Sequence, residues 1–186
     1  MELQVCKMEP VPRELVMNCS WNSEYVTSLF PHNVGLPLPG EFSFSAISSL
    51  TMLQNLSLST DQLTGNISES AFRFSQFVST IRYLNVSNNF LVGELIVQDG
   101  MPYFDSLEVV DASNNQLVGK LPEFEFVVSL KVLHLGNNQL SGYHLPAFLQ
   151  GNSMVLSELD LSRNQLECTL CTLFTLIQMK HCTDPS

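Results

Sequence analysis

Five stretches of the chain repeat one alternation of apolar and polar positions. Residues 84–93 read LNVSNNFLVG, 110–119 read VDASNNQLVG and 133–142 read LHLGNNQLSG. Residues 56–65 (LSLSTDQLTG) and 159–166 (LDLSRNQL) follow the same pattern with one departure each. Asp61 stands where the others have Asn, and Cys168 stands where they have Gly. The first apolar positions, Leu56, Leu84, Val110, Leu133 and Leu159, are 28, 26, 23 and 26 residues apart. A period in that range gives one supersecondary unit per repeat, stacked into a solenoid whose core is shared between neighbours.

The offsets inside each unit have a physical reading. An apolar–polar–apolar triplet predicts a strand with two side chains inward and the middle one outward. Strands of successive coils then stack parallel, about 4.8 Å apart. Asn89, Asn115, Asn138 and Asn164 fall where the chain leaves the strand. There a buried amide can donate and accept at once, so these four are expected to form a structural ladder that satisfies backbone groups in their own and the next coil. Gly65, Gly93, Gly119 and Gly142 permit a positive φ in the return. Ala112 occupies an inward position that is Leu58, Val86, Leu135 and Leu161 elsewhere, so its coil is expected to be the weakly filled one.

These patterns divide the 186 residues into three regions. Residues 1–49 hold a degenerate cap, with Asn18-Cys-Ser-Trp-Asn22 as its recognisable island, and a partial repeat over 26–49. Two prolines, Pro31 and Pro37, interrupt that repeat and remove donors from any sheet ladder. Residues 50–167 hold about five repeats. Residues 168–186 form an atypical tail that abandons the pattern.

Charge and cysteines narrow the function classes. The formal net charge is −10, and no basic stripe exists to neutralise phosphates, which argues against a nucleic-acid surface. The five cysteines fall at the two ends and none lies in the repeats, so this is not a small disulfide scaffold. No apolar run marks a signal peptide or is long enough to span a bilayer. Yet Asn18, Asn55, Asn66 and Asn85 each open a glycosylation sequon.

At the repeat residues the chain resembles plant-type leucine-rich repeats. Their consensus adds L-x-G-x-I-P to the general one; LVGKLP at 117–122 matches it well, and LTGNIS at 63–68 matches with the Pro replaced. Residues 18–22 look like part of the cap that precedes such repeats, without its second Cys. The resemblance covers about 42–167 strongly and 18–41 weakly, and it is to the ectodomain of plant leucine-rich-repeat receptor-like kinases. It implies an α/β-type repeat, a short right-handed leucine-rich-repeat solenoid with a parallel β-sheet on the concave face and mostly irregular convex returns. It also implies non-enzymatic recognition of a protein or peptide ligand, another leucine-rich-repeat receptor included, in an extracellular or membrane-associated setting. No signal peptide, transmembrane helix or kinase motif accompanies it. The alternative expectation is a truncated receptor-like gene product with no specific partner.

Outward strand positions make the expected ligand-binding face: Tyr83, Asn85, Glu108, Asp111, Lys131, His134, Glu158, Asp160 and Arg163. Aromatic and Arg anchors suit a peptide or protein partner. Within it, Asp111, His134 and Asp160 would hold an imidazole between two carboxylates, an acid–base or metal-like grouping. No nucleophile accompanies them, and the repeated column alone explains their placement. In the tail, Cys168, Cys171, His181 and Cys182 are four zinc-type donors, but the last pair is adjacent and lacks the usual spacing. A tail metal-binding module, a Cys168–Cys182 or Cys171–Cys182 disulfide, and inert thiols are the alternatives. No cofactor or metal is expected.

Overall fold

A computed structural model describes residues 5–6, 17–22, 25–31, 51–59, 62–67, 79–95, 106–121, 129–142 and 155–166. The sequence features at Leu38–Phe42, Asp61 and the whole tail with Cys168, Cys171, His181 and Cys182 lie outside these residues. Every regular element among the described residues is a strand. Near the N-terminus are β1 (Val5–Cys6), β2 (Met17–Asn22) and β3 (Tyr25–Pro31). Each repeat then adds a strand at its first triplet: β4 (Asn55–Ser57), β6 (Tyr83–Asn85), β8 (Val109–Asp111), β10 (Val132–His134) and β12 (Glu158–Asp160). A second strand follows in each: β5 (Thr64–Asn66), β7 (Phe90–Glu94), β9 (Gln116–Gly119), β11 (Gln139–Gly142) and β13 (Gln165–Leu166).

The first set forms the concave sheet, in the order β1-β2-β3-β4-β6-β8-β10-β12. From β3 onward the pairing is parallel, and Leu29, Leu56, Leu84, Val110, Leu133 and Leu159 stand in one register line. Leu29 thus supplies one more coil than the clean repeats. At the N-terminal end β1 and β2 run antiparallel, and β2 pairs with β3 from Met17↔Pro31 to Asn22↔Tyr25. The island at 18–22 is therefore a strand of the same sheet, placed between β1 at its N-terminal edge and β3, a role that periodicity did not reveal. Pro31 sits at the end of β3, where a missing donor costs least.

The second set forms another parallel sheet, in the order β13-β11-β9-β7-β5. The returns are thus more regular at L-x-G than the sequence pattern implied. Its register is offset by two residues per coil: Gly65 pairs with Leu91 and Gly93 with Leu117. The Gly positions have φ between 88 and 124°. At Gly119 a Cβ would approach Glu94 Cγ to 2.6 Å, so the bare backbone also makes room for the preceding coil.

The core lies between the sheets. Leu53, Ile81, Leu107, Leu130 and Leu156 form one buried column, and Leu58, Val86, Ala112, Leu135 and Leu161 another. Leu63, Leu91, Leu117 and Leu140 form a third. Each buried Leu is worth about 1.5–3 kcal/mol relative to exposure, so the columns are the main source of cohesion. The last coil is less covered: Leu159 and Leu161 are 5% and 8% exposed, against 1% and 0% for Leu133 and Leu135.

Asparagines seal the turn. Asn89, Asn115 and Asn138 are buried and Asn164 is half-buried. Asn115 Nδ2 donates to Ala112 O and Ser113 O in its own coil and to Val86 O in the preceding one (3.2, 3.2 and 3.0 Å). Its Oδ1 accepts from Leu91 N at 3.1 Å, also in the preceding coil. The same set recurs for Asn89 with Leu58 and Leu63, for Asn138 with Ala112 and Leu117, and for Asn164 with Leu135 and Leu140. The cross-coil bonds thus run back to the preceding coil, not forward to the next as the repeat pattern suggests.

One residue before each ladder Asn the chain turns left-handed. Asn88, Asn114 and Asn137 have φ of 55–56°, a region that Asn tolerates better than other side chains with a Cβ. Arg163 takes the same conformation, φ 53°, without that tolerance. The backbone ladder continues through this turn: Asn88 N, Asn114 N and Asn137 N donate to Ser113 O, Gly136 O and Ser162 O at 2.8–3.0 Å.

Candidate functional site

Strict register turns the outward positions of the concave sheet into columns. Asn55, Tyr83, Val109, Val132 and Glu158 form one, and Ser57, Asn85, Asp111, His134 and Asp160 the next. Arg82, Glu108 and Lys131 precede the strands and flank the first column. Five strands at about 4.8 Å spacing make this face roughly 19 Å wide.

The flank is held by charge. Glu108 Oε1 accepts from Arg82 Nη1 at 3.0 Å and its Oε2 from Lys131 Nζ at 2.6 Å. The hydrogen bond and charge of Lys131 act first, and Arg82 adds to them; together they hold the Glu108 carboxyl below the usual carboxylate range despite some desolvation. One carboxylate thus ties three coils along the rim. Beside it Tyr83, Val109 and Val132 are half-buried and form a short apolar band.

In the middle column the register places His134 between Asp111 and Asp160, and both carboxylates accept bonds within their own coils. Asp111 Oδ1 accepts from Ser113 N and Ser113 Oγ (3.0 and 2.7 Å), and Asp160 Oδ1 accepts from Ser162 N (2.9 Å). Asn85 Oδ1 accepts likewise from Ser87 N at 2.9 Å. These are Asx-type caps of the following turn, which explains Asn or Asp at this offset. Gly136 replaces the Ser in the His134 coil, and the Asp160 carboxylate occupies the space a Cβ there would take. The carboxylate nearest His134 is Glu158 of the neighbouring column, with Nε2–Oε2 at 3.4 Å, an ion pair only when the imidazole is protonated. Same-offset alignment missed it because a long side chain reaches diagonally. Among the described residues no cluster of His, Cys, Asp and Glu could hold a metal ion.

Arg163 lies in the outer turn column. There Asn137 Nδ2 donates to Asn114 Oδ1 at 2.8 Å, so the outer column is partly bonded to itself. Of the sequons, Asn55 and Asn85 lie half-buried on the concave sheet, and Asn66 lies exposed on β5. Asn18 lies on β2. The sequence reading gave no role to the outward positions of the second sheet, where Phe90, Val92 and Val118 are exposed. Apolar residues at the variable positions of Q-L-x-G were the available signal.

The geometry agrees with what the chain is similar to. The Leucine Rich Repeat family matches residues 106–125 and 129–150. A probable inactive receptor kinase of Arabidopsis thaliana is 38% identical over 100 residues, covering 54% of this chain and 9% of that protein. The Arabidopsis receptor kinase HAESA, solved in complex with a peptide hormone and a co-receptor, is 36% identical with a TM-score of 0.55. That match covers 65% of this chain and 19% of HAESA. Pollen Receptor Kinase 3 matches 87% of this chain and 75% of its own, with a TM-score of 0.66 at 24% identity, a likeness of fold. The stacked coils are leucine-rich repeats. Their solenoid has the fold of plant leucine-rich-repeat receptor ectodomains. The chain spans about a tenth of the length of the curated relatives it matches, 9% and 10% for the first two. No helix among the described residues is long and apolar enough to cross a membrane.

Proposed function

We propose that this chain is a non-enzymatic recognition module of an extracellular receptor-like protein, and that its concave face takes a peptide or protein ligand. The observation that carries the reading is the half-buried band of Tyr83, Val109 and Val132, held in register between the Glu108 rim and the Asx-capped column. Aromatic and aliphatic surface bordered by polar groups is the usual anatomy of an interface. Its polar neighbours are already oriented by bonds within the chain, so little side-chain entropy is lost on binding. The receptor kinase HAESA, similar over 65% of this chain, is solved with a peptide hormone and a co-receptor, which supports ligands of both kinds here. Asp111, His134 and Asp160 serve the turn and the face rather than chemistry, since the carboxylates already accept bonds from their own coils.

The test is selection of binders to the immobilised chain from a displayed peptide library and a panel of plant leucine-rich-repeat domains. A selected binder should lose at least tenfold in affinity to Tyr83→Ala with Lys131→Ala, and should keep its affinity for Phe90→Ser on the second sheet. Binders that ignore the concave pair, or the lack of any binder from both sources, would contradict the reading.

A further inference from the structure

The solvent face of the second sheet is apolar at one end. Phe90 is 50% exposed, and Val92 and Val118 are 39% and 38% exposed. Phe90 and Val92 lie two apart on β7 and so share a face. Register sets Thr64 beside Phe90 and Asn66 beside Val92. Among the described residues β5 is the terminal strand of this sheet. An apolar patch next to a sheet edge favours strand addition by another chain unless something covers it.

Asn66 opens the sequon Asn66-Ile67-Ser68. It is exposed and stands on that edge strand, directly beside Val92. The two concave sequons are placed differently. Asn55 Nδ2 donates to Ser28 Oγ at 2.9 Å, and Asn85 Nδ2 donates to Tyr83 Oη at 3.2 Å. Both asparagines are half-buried, whereas Asn66 is exposed. We propose that Asn66 carries an N-linked glycan whose first sugars lie over Val92 and Phe90 and cover the apolar end of the second sheet. A lipid-linked oligosaccharide diphosphate is the co-reactant. The Asn66 amide nitrogen bonds to the anomeric carbon, the carbon–oxygen bond to the diphosphate breaks, and the nitrogen gives up one proton. The C–H faces of the sugar then meet the electron-rich face of the Phe90 ring. The glycan leaves the concave face free. For its cellular setting the inference rests on the extracellular reading above.

Expression behind a host secretion signal meets the donor directly. Glycopeptide mass spectrometry of the folded, secreted chain should find Asn66 occupied. The glycan is then removed fully with an amidase, or trimmed to one sugar with an endoglycosidase. Full removal should raise binding of an apolar dye several-fold in the natural chain, and should leave it unchanged in a variant with Phe90→Thr and Val92→Thr. Trimming to one sugar should keep most of the cover. Asn66→Gln should reproduce full removal; if that variant is not secreted, enzymatic removal from the folded chain gives the same readout. A bare Asn66 overturns the inference whatever the other sequons carry, as does an equal rise in dye binding in both backgrounds. A glycan on Asn85 beside an occupied Asn66 would count against the concave face as the recognition surface and leave this inference standing.

Discussion

Replacing Asn115 by Ala removes four hydrogen bonds, but their loss is not equally felt. Val86 O also accepts from Asn89 Nδ2, Ala112 O from Asn138 Nδ2, and Ser113 O from Asn88 N. Each of these carbonyls therefore keeps a partner. Leu91 N depends on Asn115 Oδ1 and lies beside a side chain that is 2% exposed. One buried N–H left unsatisfied costs about 1–3 kcal/mol, and the weakened carbonyl bonds add to it. We expect Asn115→Ala to destabilise by about 2–3 kcal/mol on that basis. With a urea slope of about 1–3 kcal/mol/M, the midpoint should fall by roughly 0.7–3 M. A solenoid need not unfold in one step, so a local readout is decisive. Hydrogen exchange should accelerate most at the Leu91 amide, while the Leu117 amide, which bonds to Asn138 Oδ1, should change far less. The exposed neighbour Gln116→Ala should stay within about 0.5 kcal/mol of the natural chain. Unchanged protection at Leu91, or equal small effects at positions 115 and 116, would refute the ladder as a source of stability.

Arg163→Asn should raise stability by about 0.5–1 kcal/mol, because Asn accepts the left-handed turn that Arg strains to adopt. It would also let the outer amide row of Asn114 and Asn137 extend by one coil; a fall in melting temperature would show that Arg163 makes a contact worth more than the strain. Ala112→Val should be neutral or stabilising by up to about 1 kcal/mol if the inner column has room, and a clear loss on thermal melting would show the site already filled. Glu108 has a folded-state pKa below its unfolded value, so its contribution is present above the unfolded value and is lost as pH falls through the folded one. Glu108→Gln should therefore lower the melting temperature slightly at neutral pH, converge with the natural chain in acid below the ordinary carboxylate range, and lose its effect in high salt; a difference that persists in acid would place the role of Glu108 elsewhere.

Legibility in the sequence followed the periodicity. Leu56, Leu84, Val110, Leu133 and Leu159 announced one register line because a fixed offset fixes both the inward face and the pairing. The second sheet was hidden because its partners differ by two positions in the repeat, so that a Gly pairs with a Leu. The antiparallel cap of β1 and β2 was hidden because a unit that occurs once has no period to detect. Within the face, columns were readable but partners were not. Short Asn and Asp side chains bend to their own turns, while Glu158 and Glu108 reach across coils. Left-handed turns were readable at Asn88, Asn114 and Asn137 in hindsight, since three Asn-Asn pairs share the offset; Arg163 broke that signal.

The concave face as the recognition surface is the claim on which the functional account depends. It is tested most directly by placing a photocrosslinking residue in turn at Val109 and at Val118. Both are valines on neighbouring strands of the same coil, one on the concave sheet and one on the second sheet. With a selected peptide or protein partner bound, the account predicts crosslinks from position 109 and none from position 118. Crosslinks from 118 alone would contradict it and move the recognition surface to the second sheet.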